Sequence, residues 1–152
     1  MNLLLDTNIL IYLSRDAGNT LLNEIINPDD KEIFVSVASL GELKSIALQN
    51  SWGRNKWQII DLVLNDCTIV EINENLIETY ATIDAYSQRR NRNYSTYAFD
   101  TPRNMGKNDL WIASTAALLG LSLLTTDSDF DHLHNIFLIV NRVPANFTKT
   151  SD

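Results

Sequence analysis

The sequence predicts an α/β fold in a single domain, with a parallel five-stranded sheet covered by helices on both faces. Short apolar runs alternate along the chain with segments of helical periodicity, which is typical of strand–helix–strand units. The strand candidates are almost wholly apolar, as expected for a sheet buried on both faces. The 152 residues suit one domain, which we expect to span residues 1–145, with a C-terminal tail at 146–152.

The first half of the chain supplies three strand and three helix candidates. Apolar runs stopped by polar residues indicate the strands, and the second run is rich in β-branched side chains. One short helix is expected to end before Pro28. The expected order is strand 3–6, helix 20–27, strand 32–37, helix 39–49, helix 55–65 and strand 67–72.

The second half contains two helices, two strands and one irregular segment. Asn73 can cap a long helix, and Gly120 is a good helix stop. Asn, Ser, Thr, Pro and Gly interrupt the helical pattern between 91 and 107. A helix at 109–119 is then expected, followed by strands at 121–126 and 136–141.

Composition narrows the classes of function. The chain has 19 acidic and 12 basic residues, and its formal net charge of −7 argues against a protein that coats nucleic acid through bulk electrostatics. A single cysteine, Cys67, excludes a disulfide framework within the chain. No apolar run approaches the roughly 18 residues that a membrane-spanning helix needs, and the first residues do not resemble a signal peptide. We therefore expect no membrane partner and a cytoplasmic location.

Four acidic residues fall where a parallel sheet collects its functional groups. Asp6 and Asp127 come just after strand candidates. Glu42 lies about one turn into the helix after the second strand, and Asp109 opens a later helix behind a possible cap at Asn108. Ligands of open parallel sheets bind beyond the carboxyl ends of the strands, so these acids are expected at one edge. Each alone also has a structural explanation as a helix cap, a solvated helix acid or a turn residue.

Together the four acids favour a cation site. Carboxylates that converge without basic partners repel one another, which costs stability unless cations neutralise them. Hard cations such as Mg²⁺ and Mn²⁺ take oxygen ligands and need neither histidine nor cysteine. The pattern therefore predicts a site for one or two ions of this kind.

The segments that carry these acids resemble the successive motifs of the PIN-domain nucleases. They are Asp6-Thr7-Asn8, Ser39-Leu40-Gly41-Glu42-Leu43, Asn108-Asp109-Leu110-Trp111-Ile112-Ala113 and Thr126-Asp127-Ser128-Asp129-Phe130. Four motifs in the correct order at domain-sized spacing are far more specific than any one of them. Within this family the chain is similar to the VapC-type toxins of toxin–antitoxin pairs, and the resemblance covers essentially the whole chain.

The resemblance implies a role for each matching residue. It assigns the metal-binding and catalytic role to Asp6, Glu42, Asp109 and Asp127. Asp129 offers a second acid in the same turn and could share or replace the role of Asp127. Polar neighbours that hold the acids or a bound water would be Thr7, Asn8, Thr126 and Asn108.

The resemblance also implies a reaction and partners. The reaction is hydrolysis of RNA phosphodiesters by water, dependent on Mg²⁺ or Mn²⁺, with 5′-phosphate and 3′-hydroxyl products. Toxins of this type form homodimers and are silenced by a small antitoxin protein that inserts a segment into the acidic groove. We therefore expect an RNA substrate, a cognate antitoxin and a homodimer.

The irregular segment before Asp109 is longer than the usual connection in the family. From Arg89 to Lys107, five basic residues and one acid, Asp100, give a local charge of +4 in an acidic chain, and two tyrosines and Phe99 lie among them. This combination suits phosphates and unstacked bases, and the equally open alternative is a solvated loop with its aromatic side chains packed onto the domain. The candidate RNA-binding residues are Arg89, Arg90, Arg92, Arg103, Lys107, Tyr94 and Tyr97.

Two other functions compete with the metal-dependent ribonuclease. A phosphotransferase of the haloacid-dehalogenase kind would use Asp6 as its nucleophile, but it would want a second Asp where Asn8 stands. A catalytically inactive binding module of the same fold would be expected to lack an acid, and none is missing. His132 and His134 match no family site and are interpreted as surface or turn residues.

Overall fold

The computed structural model describes residues 1–144, so the tail expected at 146–152 lies outside the described residues. Five strands and five α-helices make up the described part of the chain. The strands are β1 (Leu3–Leu5), β2 (Ile33–Ser36), β3 (Thr68–Val70), β4 (Ser122–Thr125) and β5 (Ile139–Arg142). The helices are α1 (Thr7–Leu13), α2 (Val37–Gln49), α3 (Arg54–Asn65), α4 (Ile77–Ser87) and α5 (Lys107–Leu119).

All strand pairs of the sheet are parallel, in the order β3-β2-β1-β4-β5, which confirms the predicted sheet. The chain moves outward from β1 through β2 to β3 and then crosses back to place β4 on the other side of β1. The strand order therefore reverses between β1 and β4, and a crevice at such a point is where open α/β sheets bind ligands. In the β1–β4 pair, Leu5 is in register with Leu124.

Helices cover both faces of the sheet. Alternate residues of β1 point to opposite faces, so this strand contributes to the apolar core on each side. Leu3 and Leu5 belong to an apolar cluster that includes residues of α1, α2 and α3. Leu4 belongs to a second cluster, built mainly from α4, α5 and the segments beside them. All three leucines are buried, so β1 is the centre of both cores.

Several element boundaries differ from the sequence-based expectation. Helix α2 begins at Val37 rather than Ser39, since the Ser36 hydroxyl caps it by accepting from the Ala38 amide. The cap predicted at Asn108 is wrong, because α5 already begins at Lys107. The fifth strand begins at 139 rather than 136, because Asn135 adopts a left-handed conformation in a turn closed by its bond to the Leu138 carbonyl.

Three short helical turns complete the described structure. A π-helical turn, Leu22–Ile26, occupies the region where a short helix was expected. A 3₁₀ turn, Glu74–Leu76, precedes α4. Asn73 caps this turn by accepting a hydrogen bond from the Asn75 amide, and not the long helix as predicted, because α4 begins only at Ile77. A second 3₁₀ turn, Ser128–Leu133, follows β4. Within residues 1–144, none of the helices is both long and apolar enough to cross a membrane.

Candidate functional site

Asp6 stands at the carboxyl end of the central strand and begins the site. It caps α1, and its Oδ1 accepts a hydrogen bond from the Thr7 amide at 2.8 Å. Its Oδ2 accepts from the Thr125 hydroxyl of β4 at 2.7 Å. Only 4% of the residue is exposed. Burial raises the pKa of Asp6, and the negative charge of Asp127 raises it further, while the two hydrogen bonds act in the opposite direction.

Thr125 connects Asp6 to Asp127 through two hydrogen bonds. Its hydroxyl oxygen accepts a hydrogen bond from the Asp127 amide at 3.0 Å while its proton is donated to Asp6. Asp127 in turn caps the following 3₁₀ turn, because its Oδ1 accepts from the Asp129 amide at 2.9 Å. These hydrogen bonds fix the backbone that carries Asp127 and Asp129.

Asp109 lies in the first turn of α5, close to two other acids of the site. One carboxylate oxygen from each of Asp109, Asp127 and Asp129 lies within 4.8 Å of the others. The pKa of Asp109 is raised to about 7, first because the side chain is partly buried. The negative charges of Asp6, Asp127, Glu42 and Asp129 contribute the rest, so every other acid of the site acts on Asp109.

Glu42 projects from the second turn of α2 and completes the group. Burial and then the negative charge of Asp6 raise its pKa, while Thr7 and Asn108 are the polar neighbours that partly offset this rise. Three buried oxygens near the start of α1 and α2 have no hydrogen-bond partner in the described residues. They are Thr7 Oγ1, Ser39 Oγ and Glu42 Oε1.

These observations fit the donor set of a hard divalent cation. All five acids offer oxygen ligands, which suit Mg²⁺ and Mn²⁺. Within residues 1–144 the only ion pair joins Arg142 to Asp131, so none of the five acids has a basic partner there. A buried oxygen without a partner, such as Glu42 Oε1, is costly unless something binds it. We call Asp6, Glu42, Asp109, Asp127 and Asp129 the acidic site.

The other predicted polar neighbours differ in their placement. Thr7 is buried beside Asp6, and Asn108 lies close enough to Glu42 to affect its pKa. Asn8 is exposed, and Thr126 is half-buried without a side-chain hydrogen bond in the described part of the chain. The contact that we expected from Thr126 is made instead by the preceding residue, Thr125.

The basic segment is anchored by its aromatic side chains. Tyr86 of α4 is 2% exposed, and the rings of Tyr94, Tyr97 and Phe99 pack around it with centroid distances of 4.8, 5.2 and 5.5 Å. The Tyr97 hydroxyl also donates to the Asn91 carbonyl at 2.9 Å. These contacts match the alternative in which the aromatic residues pack onto the domain. The five basic residues themselves are exposed: Arg89, Arg90, Arg92, Arg103 and Lys107.

His132 has a closer relation to the site than the sequence indicated. It is partly buried rather than a surface residue, its Nε2 lies 2.8 Å from the buried Ser87 hydroxyl, and its ring packs edge-on against Phe99. Burial and then the positive charge of Arg103 lower its pKa to about 4, although a bond to the Asp129 backbone raises it. His132 is therefore neutral near pH 7. His134 is a surface residue, as expected, and its Nδ1 accepts a hydrogen bond from the Val140 amide.

Known proteins share this arrangement of elements. The family model that matches the chain is described as PIN domain, and the match covers residues 3–135. VapBC2 from Rickettsia felis, bound to a DNA fragment from its promoter, has a chain similar in fold, with a TM-score of 0.72 and 21% identity over 93% of this chain and 98% of that one. No curated protein sequence matches the chain.

Two further solved structures show the same likeness. VapBC from Salmonella typhimurium, bound to DNA, gives a TM-score of 0.70 at 17% identity. VapBC-1 from nontypeable Haemophilus influenzae gives 0.67 at 22% identity, and both cover 93% of this chain and 98% of theirs. At such identities the likeness shows the fold, whereas the family model spans most of the sequence and all five acids. The chain therefore belongs to the PIN domain family.

Proposed function

We propose that this protein is an endoribonuclease dependent on Mg²⁺ or Mn²⁺ and that it acts as the toxin of a toxin–antitoxin pair. The observation that carries the proposal is Asp109, on which the negative charges of four other acids act, with no basic partner to balance them. Such a concentration of charge is stabilised when cations bind. Membership of the PIN domain family supports a nuclease function for this site.

The acids differ in what they contribute. Asp6 has both oxygens engaged, by the Thr7 amide and the Thr125 hydroxyl, so its orientation is fixed before any ligand arrives. Asp109, Asp127 and Asp129 offer three oxygens within one small volume, and Glu42 offers an oxygen without a partner. A divalent ion held there would lower the pKa of a bound water and would neutralise charge on the phosphate.

The proposed products are a 5′-phosphate and a 3′-hydroxyl, because water is the nucleophile. The ribose 2′-hydroxyl is then not required chemically, and preference for RNA comes from recognition of unpaired, accessible segments. The exposed basic residues of the segment from Arg89 to Lys107 support binding of the phosphate backbone. The tyrosines of this segment contribute by holding it on the domain through Tyr86.

The proposed toxin role rests on the solved structures that share this fold. Several structures that resemble this chain are named VapBC, and two similar structures are described as a toxin–antitoxin complex and as a member of a family of toxin–antitoxin systems. We propose by analogy that the chain forms a homodimer, binds a cognate antitoxin protein and acts in the cytoplasm. Co-expression with the product of a short neighbouring reading frame should relieve growth arrest caused by the wild-type chain.

Cleavage of a single-stranded RNA with and without divalent cations tests the nuclease proposal. We expect cleavage with Mg²⁺ or Mn²⁺, its loss in EDTA, and products that a 5′-phosphate-dependent exonuclease degrades. The Asp109→Asn variant should lose activity at least about 100-fold, because the site loses its central ligand. A 2′,3′-cyclic phosphate product would contradict the mechanism.

A matched control separates the site from the general acidity of the chain. Asp29 is exposed and precedes β2, so it lies at the opposite end of the sheet from the acidic site. Asp29→Asn removes one negative charge, as Asp109→Asn does, and should cleave like the wild type. Equal activity of both variants would show that the acidic site is not the catalytic centre.

The competing phosphotransferase function is disfavoured by the residue that follows Asp6 two positions along the chain. A phosphotransferase of this kind wants a second Asp two positions after its nucleophile, and the chain has Asn8 there, with an exposed side chain. Glu42 and Asp109 would also have no role in that chemistry. A phosphoenzyme trapped on Asp6 would revive this alternative.

A further inference from the structure

A small cavity adjoins the acidic site on the side of the basic segment. Its volume is about 200 Å³, and its lining includes Arg103, Asn104, Ser128, Asp129 and His132. Because Asp129 also belongs to the acidic site, the cavity begins where the candidate cation ligands end. It is smaller than the roughly 300–1,000 Å³ of pockets that enclose drug-sized ligands, which suits a phosphate group better than a whole nucleotide.

Arg103 is held at this cavity by its backbone and by an aromatic ring. Its amide donates to the Ser87 carbonyl at the end of α4 at 2.7 Å. Its guanidinium carbon lies 5.8 Å from the ring centroid of Phe99, which is buried. No acid pairs with this guanidinium in the described part of the chain. Its donors therefore stay available for an anion.

Two neutral donors stand beside the guanidinium. The Gln88 amide nitrogen donates to Asn104 Oδ1 at 2.9 Å, which leaves the Asn104 amide nitrogen as the group that can donate to a ligand. Ser128 is exposed at the start of the 3₁₀ turn, and its hydroxyl has no hydrogen bond within residues 1–144. Together these side chains offer a charged fork, an amide and a hydroxyl, the groups that bind phosphate oxygens.

The charges around the cavity favour an anion once the acidic site holds a cation. Asp131 also lines the cavity, but it is already paired with Arg142 at 3.0 Å. The charge of Asp129 would be neutralised by the cation that it helps to bind. The remaining unpaired charge is that of the Arg103 guanidinium.

We propose that Arg103, with Asn104 and Ser128, binds the phosphate adjacent to the scissile one and so aligns the RNA strand across the acidic site. This inference rests on the proposed ribonuclease function and assigns Arg103 a role distinct from that of the other exposed arginines. Their contacts with RNA would depend on charge alone, whereas the Arg103 subsite recognises one particular phosphate. Ser87 and Phe99 position Arg103 and do not touch the substrate.

The test removes the charge on each side of the proposed contact. The substrate is a single-stranded oligoribonucleotide with one cleavage position, prepared in versions that carry a single neutral methylphosphonate at successive linkages. With wild-type protein, kcat/KM should fall about tenfold when the neutral linkage is next to the scissile one, the loss expected for a charge-assisted hydrogen bond. On the native substrate, the kcat/KM of the Arg103→Gln variant should be lower than that of the wild type by a similar factor. Placing the neutral linkage next to the scissile one should then lower the kcat/KM of this variant no further.

Arg92→Gln is the comparison variant, because Arg92 is exposed in the same segment but does not line the cavity. It should lose some affinity for every substrate and keep the full effect of the neutral linkage. Arg103→Lys should recover only part of the activity, since lysine keeps the charge but not the planar fork. The rise in melting temperature on addition of Mn²⁺ should be the same in all three variants and the wild type.

The outcomes separate this inference from the proposed function. Additive losses for Arg103→Gln and every methylphosphonate would overturn the subsite while leaving the ribonuclease intact. No cation-dependent cleavage of the native substrate by the wild-type protein would overturn the ribonuclease itself. A reduced response of Arg103→Gln to Mn²⁺ would show that Arg103 supports the acids and does not bind the strand.

Discussion

The Thr125 hydroxyl donates a hydrogen bond of 2.7 Å to Asp6 across the junction of β4 and β1, and both residues are almost completely buried. The same hydroxyl accepts from the Asp127 amide, so one side chain sets the orientation of the first acid and the backbone position of the fourth. The two strands that meet at the reversal of the sheet order are thus coupled directly through the site.

Replacing Thr125 with valine should damage the site without a change of side-chain shape. One oxygen of Asp6 and the Asp127 amide would each lose a partner, at a cost of about 1–3 kcal/mol in unfolding free energy for each buried group. We expect weaker Mn²⁺ binding by calorimetry and a loss of activity of at least about tenfold. Thr125→Ser keeps the hydroxyl and should stay close to the wild type in both measurements. Equal behaviour of the two variants would refute the role given to Thr125.

Asp109→Asn should stabilise the cation-free protein while it removes activity. The folded-state pKa of Asp109 is about 7, above the ordinary value of 3.8, so the folded state holds a proton that the unfolded state releases between these values. Stability of the wild type therefore falls as pH rises from about 4 to about 7. After discounting for the partial exposure of Asp109, the penalty at pH 8 is roughly 1–2 kcal/mol.

Thermal unfolding in EDTA at pH 5 and pH 8 measures this effect. The Asp109→Asn variant should melt about 3 °C or more above the wild type at pH 8 and close to it at pH 5. An unchanged difference between the two pH values would show that Asp109 is not the group responsible. Asp29→Asn serves again as the charge-matched control, since it removes an acid far from the acidic site.

Cation affinity should depend on pH near neutrality. Asp109 must give up its proton to act as a ligand, and its raised pKa means that this proton competes with the cation below about pH 7. We expect Mn²⁺ affinity to fall about tenfold from pH 8 to pH 6. Calorimetry at pH 6 in buffers of different ionisation enthalpy should show nearly one proton released for each ion bound. Binding without proton release would be incompatible with this account.

Asp127 and Asp129 should differ in their importance. Both belong to the group of three close carboxylates, but Asp127 is half-buried and caps the 3₁₀ turn, whereas Asp129 is exposed. Asparagine also caps well, so Asp127→Asn should keep the fold and lose a ligand. We expect a larger loss of activity for Asp127→Asn than for Asp129→Asn, measured as kcat at saturating Mn²⁺. The reverse order would assign the principal role to Asp129.

Much of the sheet was predictable because every residue of β1 and β4 is buried, with three leucines in β1 and two at the centre of β4. Their order along the chain, and the helices between the strands, then limit the topology to a parallel sheet with right-handed crossovers. The same reasoning places Asp6 and Asp127 at one edge. The structure confirms this fold, and it brings Asp129 into the acidic site beside them.

What the sequence could not reveal depends on register and on distant packing. Thr125 rather than Thr126 faces Asp6 because Leu5 is in register with Leu124, and no local pattern specifies that pairing. His132 likewise meets Ser87 only through tertiary structure, 45 positions away. The packing of Tyr94 and Tyr97 against Tyr86 could not be predicted for the same reason, since a loop sequence does not show which of its rings contact a buried residue.

The bond between Asp6 and Thr125 joins residues 119 positions apart in the chain. During synthesis from the N-terminus, the first acid is therefore made long before the strand that orients it and the turn that supplies its neighbours. A nascent chain cannot assemble this pocket until almost the whole domain has left the ribosome. If the proposed ribonuclease function holds, the chain is therefore inactive towards RNA for most of its own translation.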